Sequence, residues 1–107
     1  MAKKRVPVRD AHAEATSKLL KAVADLDRLK ILNYLRGGTK NVSQLAELLD
    51  AEIVNVSHHL GVLRESKLVQ DNKKGRFVFY SLHPDTYRMS GGGETINLGS
   101  CRLEIFK

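Results

Sequence analysis

The stretch from Glu52 to Arg64 sorts hydrogen-bonding and aliphatic side chains onto opposite sides of a helix. Val56, His59, Leu60 and Leu63 recur at spacings of three and four and make an inward stripe. Glu52, Val54, Asn55, Ser57 and His58 face the other way, with Arg64 further along. Such groups recognise a surface; they do not make or break bonds. An Asn55 amide can pair with N6 and N7 of adenine. Ser57 and His58 can donate to phosphate oxygens or base edges, and Arg64 suits a phosphate. Glu52 favours a helix N-terminus, but repels phosphate unless its carboxylate accepts from a cytosine N4. Further on, Lys73, Lys74 and Arg76 cluster around Gly75, where they could follow a nucleic-acid backbone or enter a minor groove.

Other reactive residue types give weaker patterns. His58 and His59 are adjacent, so a helix points them about 100° apart and they cannot jointly hold one metal ion. His59 belongs to the packed side, whereas His12 and His83 have no ligand partner by spacing. The single cysteine, Cys101, cannot close a bridge within the chain, and one thiol is too few for a metal site. Gly91-Gly92-Gly93 lacks the Lys-Ser/Thr of a phosphate loop. There is no nucleotide fingerprint and no pair of carboxylates in an apolar setting. No enzyme, no cofactor and no metal site is expected. RNA readers stack bases on exposed aromatics; here tryptophan is absent and Phe77, Phe79 and Tyr80 can be explained by packing.

The chain of 107 residues suits one domain with a modest core. Its net charge of +6 is unevenly placed. Residues 1–9 carry +4 and residues 67–83 carry +3, while the rest nearly cancels. Clustered basic charge is the electrostatic footprint of a nucleic-acid binder. The longest apolar run, Phe77 to Tyr80, is far short of a membrane span, and no apolar stretch follows the basic start as in a signal peptide. A cytoplasmic location and no membrane partner are the expectation.

Several elements must position these residues. Residues 1–9 read as a flexible basic arm. A first helix is expected over about 10–25, with Leu19, Leu20 and Val23 on one face. A second follows an Asp27 cap with Leu29, Leu32 and Leu35 inward, and Gly37-Gly38 stops it. A short third helix starts at a Ser43 cap and carries Val42, Leu45, Ala46 and Leu49. The fourth covers about 53–66. Strands over 68–72 and 77–82 are joined by a turn at 73–76. Residues 84–90 read as one helical turn or a loop, and Gly91-Gly92-Gly93 as a linker.

The last stretch reads as a β-hairpin turning at Gly99-Ser100. That register pairs Leu98 with Cys101, Asn97 with Arg102, Ile96 with Leu103 and Thr95 with Glu104. Ile96, Leu98, Cys101 and Leu103 then share one face, which needs a covering surface. The domain reading is therefore a 1–9 arm, a 10–90 winged helix-turn-helix, and a 91–107 linker and hairpin. The fold class is mainly α with small β (α+β): four N-terminal helices, a β-ribbon wing and a C-terminal β-hairpin.

The segments LDRLKILNYLRGG, VSQLAELLD, VSHHLGVLRESKLV and KGRFVFYSL resemble the successive signatures of ArsR/SmtB-type bacterial transcriptional repressors over about residues 15–83. The resemblance implies a dimeric repressor on an inverted-repeat, double-stranded operator, usually answering to a metal ion or other effector. It also implies that Ser57 and His58 face DNA. The family's thiolate sensors carry Cys-x-Cys before the recognition helix, where this chain has Asn41-Val42-Ser43-Gln44-Leu45. Its other metal site uses a C-terminal helix that the glycines and hairpin replace here. A homodimer is expected through Leu19, Leu20, Val23, Ile96, Leu98 and Leu103. An effector or protein partner stays open, as does the alternative of a winged-helix adaptor whose hairpin docks a partner protein.

Overall fold

The computed structural model describes residues 7–85, 87–90, 93–97 and 102–106, with side chains from Ala13 to Asp85 and at Leu103 and Glu104. Helix α1 spans Pro7–Val23 and α2 spans Leu26–Leu35. A two-residue strand β1 (Lys40–Asn41) leads into α3 (Val42–Leu49), and α4 runs Ile53–Glu65. Strands β2 (Val69–Lys74) and β3 (Phe77–Leu82) form the wing. Strands β4 (Tyr87–Ser90), β5 (Gly93–Asn97) and β6 (Arg102–Phe106) follow. Four helices and small antiparallel sheets in this order make a winged helix-turn-helix.

One core joins the helices to the root of the wing. Ile31, Leu32, Leu45, Leu60, Leu63, Leu68 and Val69 are fully buried, and Val56 is nearly so. Each fully buried aliphatic side chain stabilises by roughly 1.5–3 kcal/mol before the entropy of ordering it. Ile31 joins this core although the expected inward set on α2 was Leu29, Leu32 and Leu35; Leu29 is only half-buried.

Helix ends depart from the sequence reading where local capping decided between neighbouring residues. Helix α1 begins at Pro7, so residues 7–9 of the supposed arm belong to its first turn. Proline suits that position, because its φ is already helical and it lacks an N–H that would go unsatisfied. Residues 1–6 lie outside the described residues. Asp25, not Asp27, caps α2: its extended backbone lets the carboxylate accept from the Arg28 N–H at 3.1 Å. Asn41, not Ser43, caps α3. Its side chain accepts from the Gln44 N–H at 2.9 Å, and the Gln44 side chain accepts from the Asn41 N–H at 2.8 Å. That reciprocal box satisfies two N–H groups, which a cap at Ser43 would leave open.

The wing is longer than expected. Strand β2 continues through Lys73 and Lys74, and only Gly75 and Arg76 remain as the turn, with Gly75 at φ 64°. Strand β1 pairs on the other edge of β3, giving the order β1-β3-β2. Residues 87–90 are neither a helical turn nor a loop. They form β4, paired with β5, because Tyr87 to Ser90 find a ladder partner in Gly93 to Ile96. Gly93 is itself paired with Ser90, so it is strand and not linker; Gly91 and Gly92 lie outside the described residues.

The C-terminal hairpin keeps the expected register at Thr95↔Glu104, Ile96↔Leu103 and Asn97↔Arg102. An irregularity between Glu94 and Thr95 then shifts Glu94 onto Phe106. Leu98, Gly99, Ser100 and Cys101 lie outside the described residues, as does the Ile96 side chain. Leu103 is half-buried and packs against the core, so β6 touches the winged-helix core.

Candidate nucleic-acid interface

The turn between α3 and α4 is short because Asp50 takes a left-handed conformation (φ 53°), which aspartate tolerates better than most residues. The Ala51 N–H then donates to the Ala46 carbonyl at 3.0 Å, closing the end of α3. Glu52 starts α4 with an extended backbone, but its side chain makes no capping hydrogen bond. The carboxylate is exposed and uncommitted at the mouth of the helix.

Along α4 the two faces separate as the spacing predicts. Val56, Leu60 and Leu63 are buried, and His59 is half-buried. Glu52, Val54, Asn55, Ser57, His58 and Arg64 are all exposed. Val54 is 76% exposed and Ile53 53%. Two aliphatic side chains in water at the start of a helix are groups that a thymine methyl could cover. Ile53 is absent from the sequence-derived set, and spacing gives no signal for it: it stands three residues before Val56, on the inward line, and is exposed at the first residue of the helix.

A guanidinium fixes this helix to the other two. Arg28 Nε donates to the Ala22 carbonyl at 2.6 Å, and its Nη2 to the Lys21 carbonyl at 3.3 Å. Its Nη1 lies 3.1 Å from His59 Nδ1. Arginine has no acceptor, so Nδ1 must present its lone pair and Nε2 carries the proton. Nε2 faces the Asp27 carboxylate at 3.8 Å. The C-terminal carbonyls of α1 and the middle of α4 are thus tied through one residue of α2. His59 is the packed, hydrogen-bonded residue that the stripe implied, while the His58 ring beside it, with centroids 5.8 Å apart, is exposed. Sequence reading missed Arg28, because its partners lie on two other helices whose placement beside α2 no spacing along the chain reveals. Beside it, the backbone hydrogen bond from Arg28 holds the Asp25 carboxyl below its ordinary pKa, against a smaller opposing effect of burial.

The wing stands beside α4. Lys73, Lys74 and Arg76 are exposed, and no ion pair involves Lys73, Lys74 or Arg76 among the described residues. Phe77 is 53% exposed and its ring tilts against that of Phe79, centroids 6.3 Å apart, so it packs within the ribbon and not in the core. Arg64 is engaged: its Nη1 donates to Asp71 Oδ2 at 3.0 Å, tying the end of α4 to β2. Among the described residues no three His, Cys, Asp or Glu side chains gather as a metal-binding group.

The candidate interface between copies is only partly brought together. Val23 is 6% exposed and belongs to the chain's own core, so it offers no surface to a partner. It faces inward because α1 ends there and the chain turns toward α2. Leu20 is 38% exposed. Leu19 is half-buried and lines a groove of about 400 Å³ between α1 and the end of α4, with Ala15, Ala22 and Val62. No described helix is long and apolar enough to cross a membrane.

This architecture matches known proteins. The pattern of the bacterial regulatory proteins of the arsR family fits residues 25–71. The transcriptional repressor SdpR of Bacillus subtilis is 37% identical over 65 residues, which cover 61% of this chain and 72% of the repressor. The HTH-type transcriptional regulator NmtR of Mycobacterium tuberculosis is 41% identical over 81 residues, 76% of this chain and 67% of that one. Among solved structures, the homodimeric winged helix-turn-helix DNA-binding domain Mb0332 of Mycobacterium bovis superposes with a TM-score of 0.70. It is 25% identical, over 79% of this chain and 78% of that one.

Proposed function

This chain belongs to the ArsR family of bacterial regulatory proteins, and from that premise we propose that it is a homodimeric repressor binding double-stranded operator DNA. One observation carries the reading. The outward face of α4 and the neighbouring wing hold Asn55, Ser57, His58, Lys73, Lys74 and Arg76 exposed, while the other side of α4 is locked into the core. In this reading α4 lies in the major groove, where Asn55 and His58 reach base edges and Ser57 reaches phosphate. Lys73, Lys74 and Arg76 neutralise phosphates along the backbone, with Phe77 beside them. Arg64 acts through Asp71, setting the wing relative to the helix.

A two-fold dimer places two such helices on an inverted repeat. Leu20 and the groove beside Leu19 supply apolar surface for the contact, with the C-terminal hairpin, where Ile96 and Leu103 are paired in register, as a further candidate. Mb0332, homodimeric by its description, supports the stoichiometry. The family's thiolate site has no counterpart at residues 41–45, so operator binding is proposed to be independent of metal.

Fluorescence anisotropy tests this with the full chain and 30-base-pair duplexes (roughly three helical turns) enriched by it from a random pool. The expected result is an enriched inverted repeat, bound far more tightly than random duplex, by a species of twice the chain mass in light scattering. Failure to enrich any sequence would overturn the reading, and a monomeric mass would overturn the dimer. Zinc, nickel, cadmium or arsenite at one equivalent should leave the complex intact; release by any of them would refute metal independence.

A further inference from the structure

Gly61 sits inside α4, where glycine is disfavoured relative to alanine because it leaves the backbone freer when unfolded. Nothing within the described chain asks for it. Its φ is not positive, and a Cβ built on it meets no atom within 4 Å. The explanation is sought outside the chain, and the helix shows on which side. Leu60 and Leu63 point inward at 0% exposure. At about 100° per residue, Gly61 falls on the opposite side, in line with His58 and Val54. Val54 and His58 on this line are exposed, flanked by Asn55 and Ser57, and Gly61 is half-buried with open space where its Cβ would stand. The line descends from an imidazole to no side chain at all, and Val54 on it is the 76% exposed aliphatic.

Distance along the axis adds a second argument. Val54 and Gly61 are seven residues apart, which a rise of 1.5 Å per residue makes about 10 Å. The major groove is about 12 Å wide. A helix with Val54 on the base edges therefore meets the sugar-phosphate wall about where Gly61 lies. A side chain there would hold the helix off the wall.

We propose that Gly61 is the close-approach point of α4 against the DNA backbone, and that this approach seats Val54 on the C5-methyl group of a thymine. The assignment rests on the DNA reading above and goes further: it names the residue that sets docking depth and one base that the depth makes readable.

The test uses the full chain and its enriched duplex at one salt concentration. Gly61→Ala should melt at the same temperature as the parent chain or higher. Its affinity should still fall about tenfold, as overpacking by one methyl group in a close contact does, and fall on random duplex too. Replacing thymine by uracil at each half-site position in turn should weaken the parent chain about fourfold at one position, the worth of one buried methyl. Val54→Ala should be insensitive to that same replacement. Unchanged affinity of Gly61→Ala overturns the close approach, and so does a lowered melting temperature, because the added methyl would then be meeting the chain itself. A changed oligomeric state with unchanged DNA affinity also overturns it, by moving the contact to a protein neighbour. Uracil sensitivity that persists in Val54→Ala overturns the methyl contact. If the parent chain enriches no duplex, the DNA reading itself has failed; an enriched duplex bound equally by Gly61→Ala sinks this inference alone.

Discussion

Helix α4 and the wing beside it both present polar groups to solvent but are held by different forces. Beneath α4 lie Val56, Leu60 and Leu63, packed against Ile31, Leu32 and Leu45 and tied by Arg28. In β2, only Val69 is buried and the five residues after it are exposed. Those residues are held by the ladder to β3 and by the Arg64–Asp71 pair. Stability and recognition therefore separate in space. Substitutions beneath α4 should damage the fold and binding together, whereas substitutions in the wing should damage binding alone.

The largest expected effect comes from Leu60→Ala. Removing a fully buried leucine costs about 2–5 kcal/mol, so urea denaturation followed by circular dichroism should show a much earlier midpoint. A midpoint near that of the parent chain would break the comparison at its root. Next comes the cap that begins α2. Asp25→Ala should cost about 1 kcal/mol, and Asp25→Asn much less, since the amide oxygen can still accept from Arg28. The same residue gives a pH dependence. Its folded pKa lies below the ordinary value, so its stabilisation is complete above about pH 4, the unfolded range of aspartate. It is lost as the pH falls through the lowered folded value. Denaturation midpoints from neutral pH to below 4 should therefore fall less steeply for Asp25→Asn; identical slopes would remove the carboxylate from the account.

Arg64→Ala follows, with a stability cost of at most about 1 kcal/mol, because both members of its pair are well exposed. Added salt should shrink that cost, and a cost indifferent to salt would point to packing instead. The smallest stability effect belongs to the combined change of Lys73, Lys74 and Arg76 to alanine, within about 0.5 kcal/mol. Operator binding should nonetheless weaken on every sequence. The slope of log affinity against log salt should flatten by about 0.9 for each phosphate that the variant no longer neutralises. A wing variant that melts early, or binds as before, would erase the distinction between the two regions.

Much of this was legible where the pattern is local and repeats. The stripe on α4 and the register of the C-terminal hairpin follow from spacing alone, since each fixes which side chains share a face. The exposed set on α4 followed from the same spacing. The start of the first helix, the caps of the next two and the extra strand β4 were not legible in this way. Asp25 and Asp27, or Asn41 and Ser43, are chemically similar candidates two residues apart, and the choice depends on where the preceding element releases the chain. Residues 87–90 become a strand only because residues 93–97 lie beside them.

The sequence by itself determined that four helices precede a basic ribbon and that α4 has a polar outward side, because side-chain periodicity and backbone geometry are local properties. Only the tertiary structure decided that Val23 is core and not interface, and that Arg28 clasps three helices through Ala22, Lys21 and His59. Only it decided that Arg64 serves Asp71 and that Gly61 faces open space. Each of these depends on separate elements coming together, or failing to. The burial of Val23 and the partners of Arg28 and Arg64 are settled by that proximity, which spacing within one element does not encode.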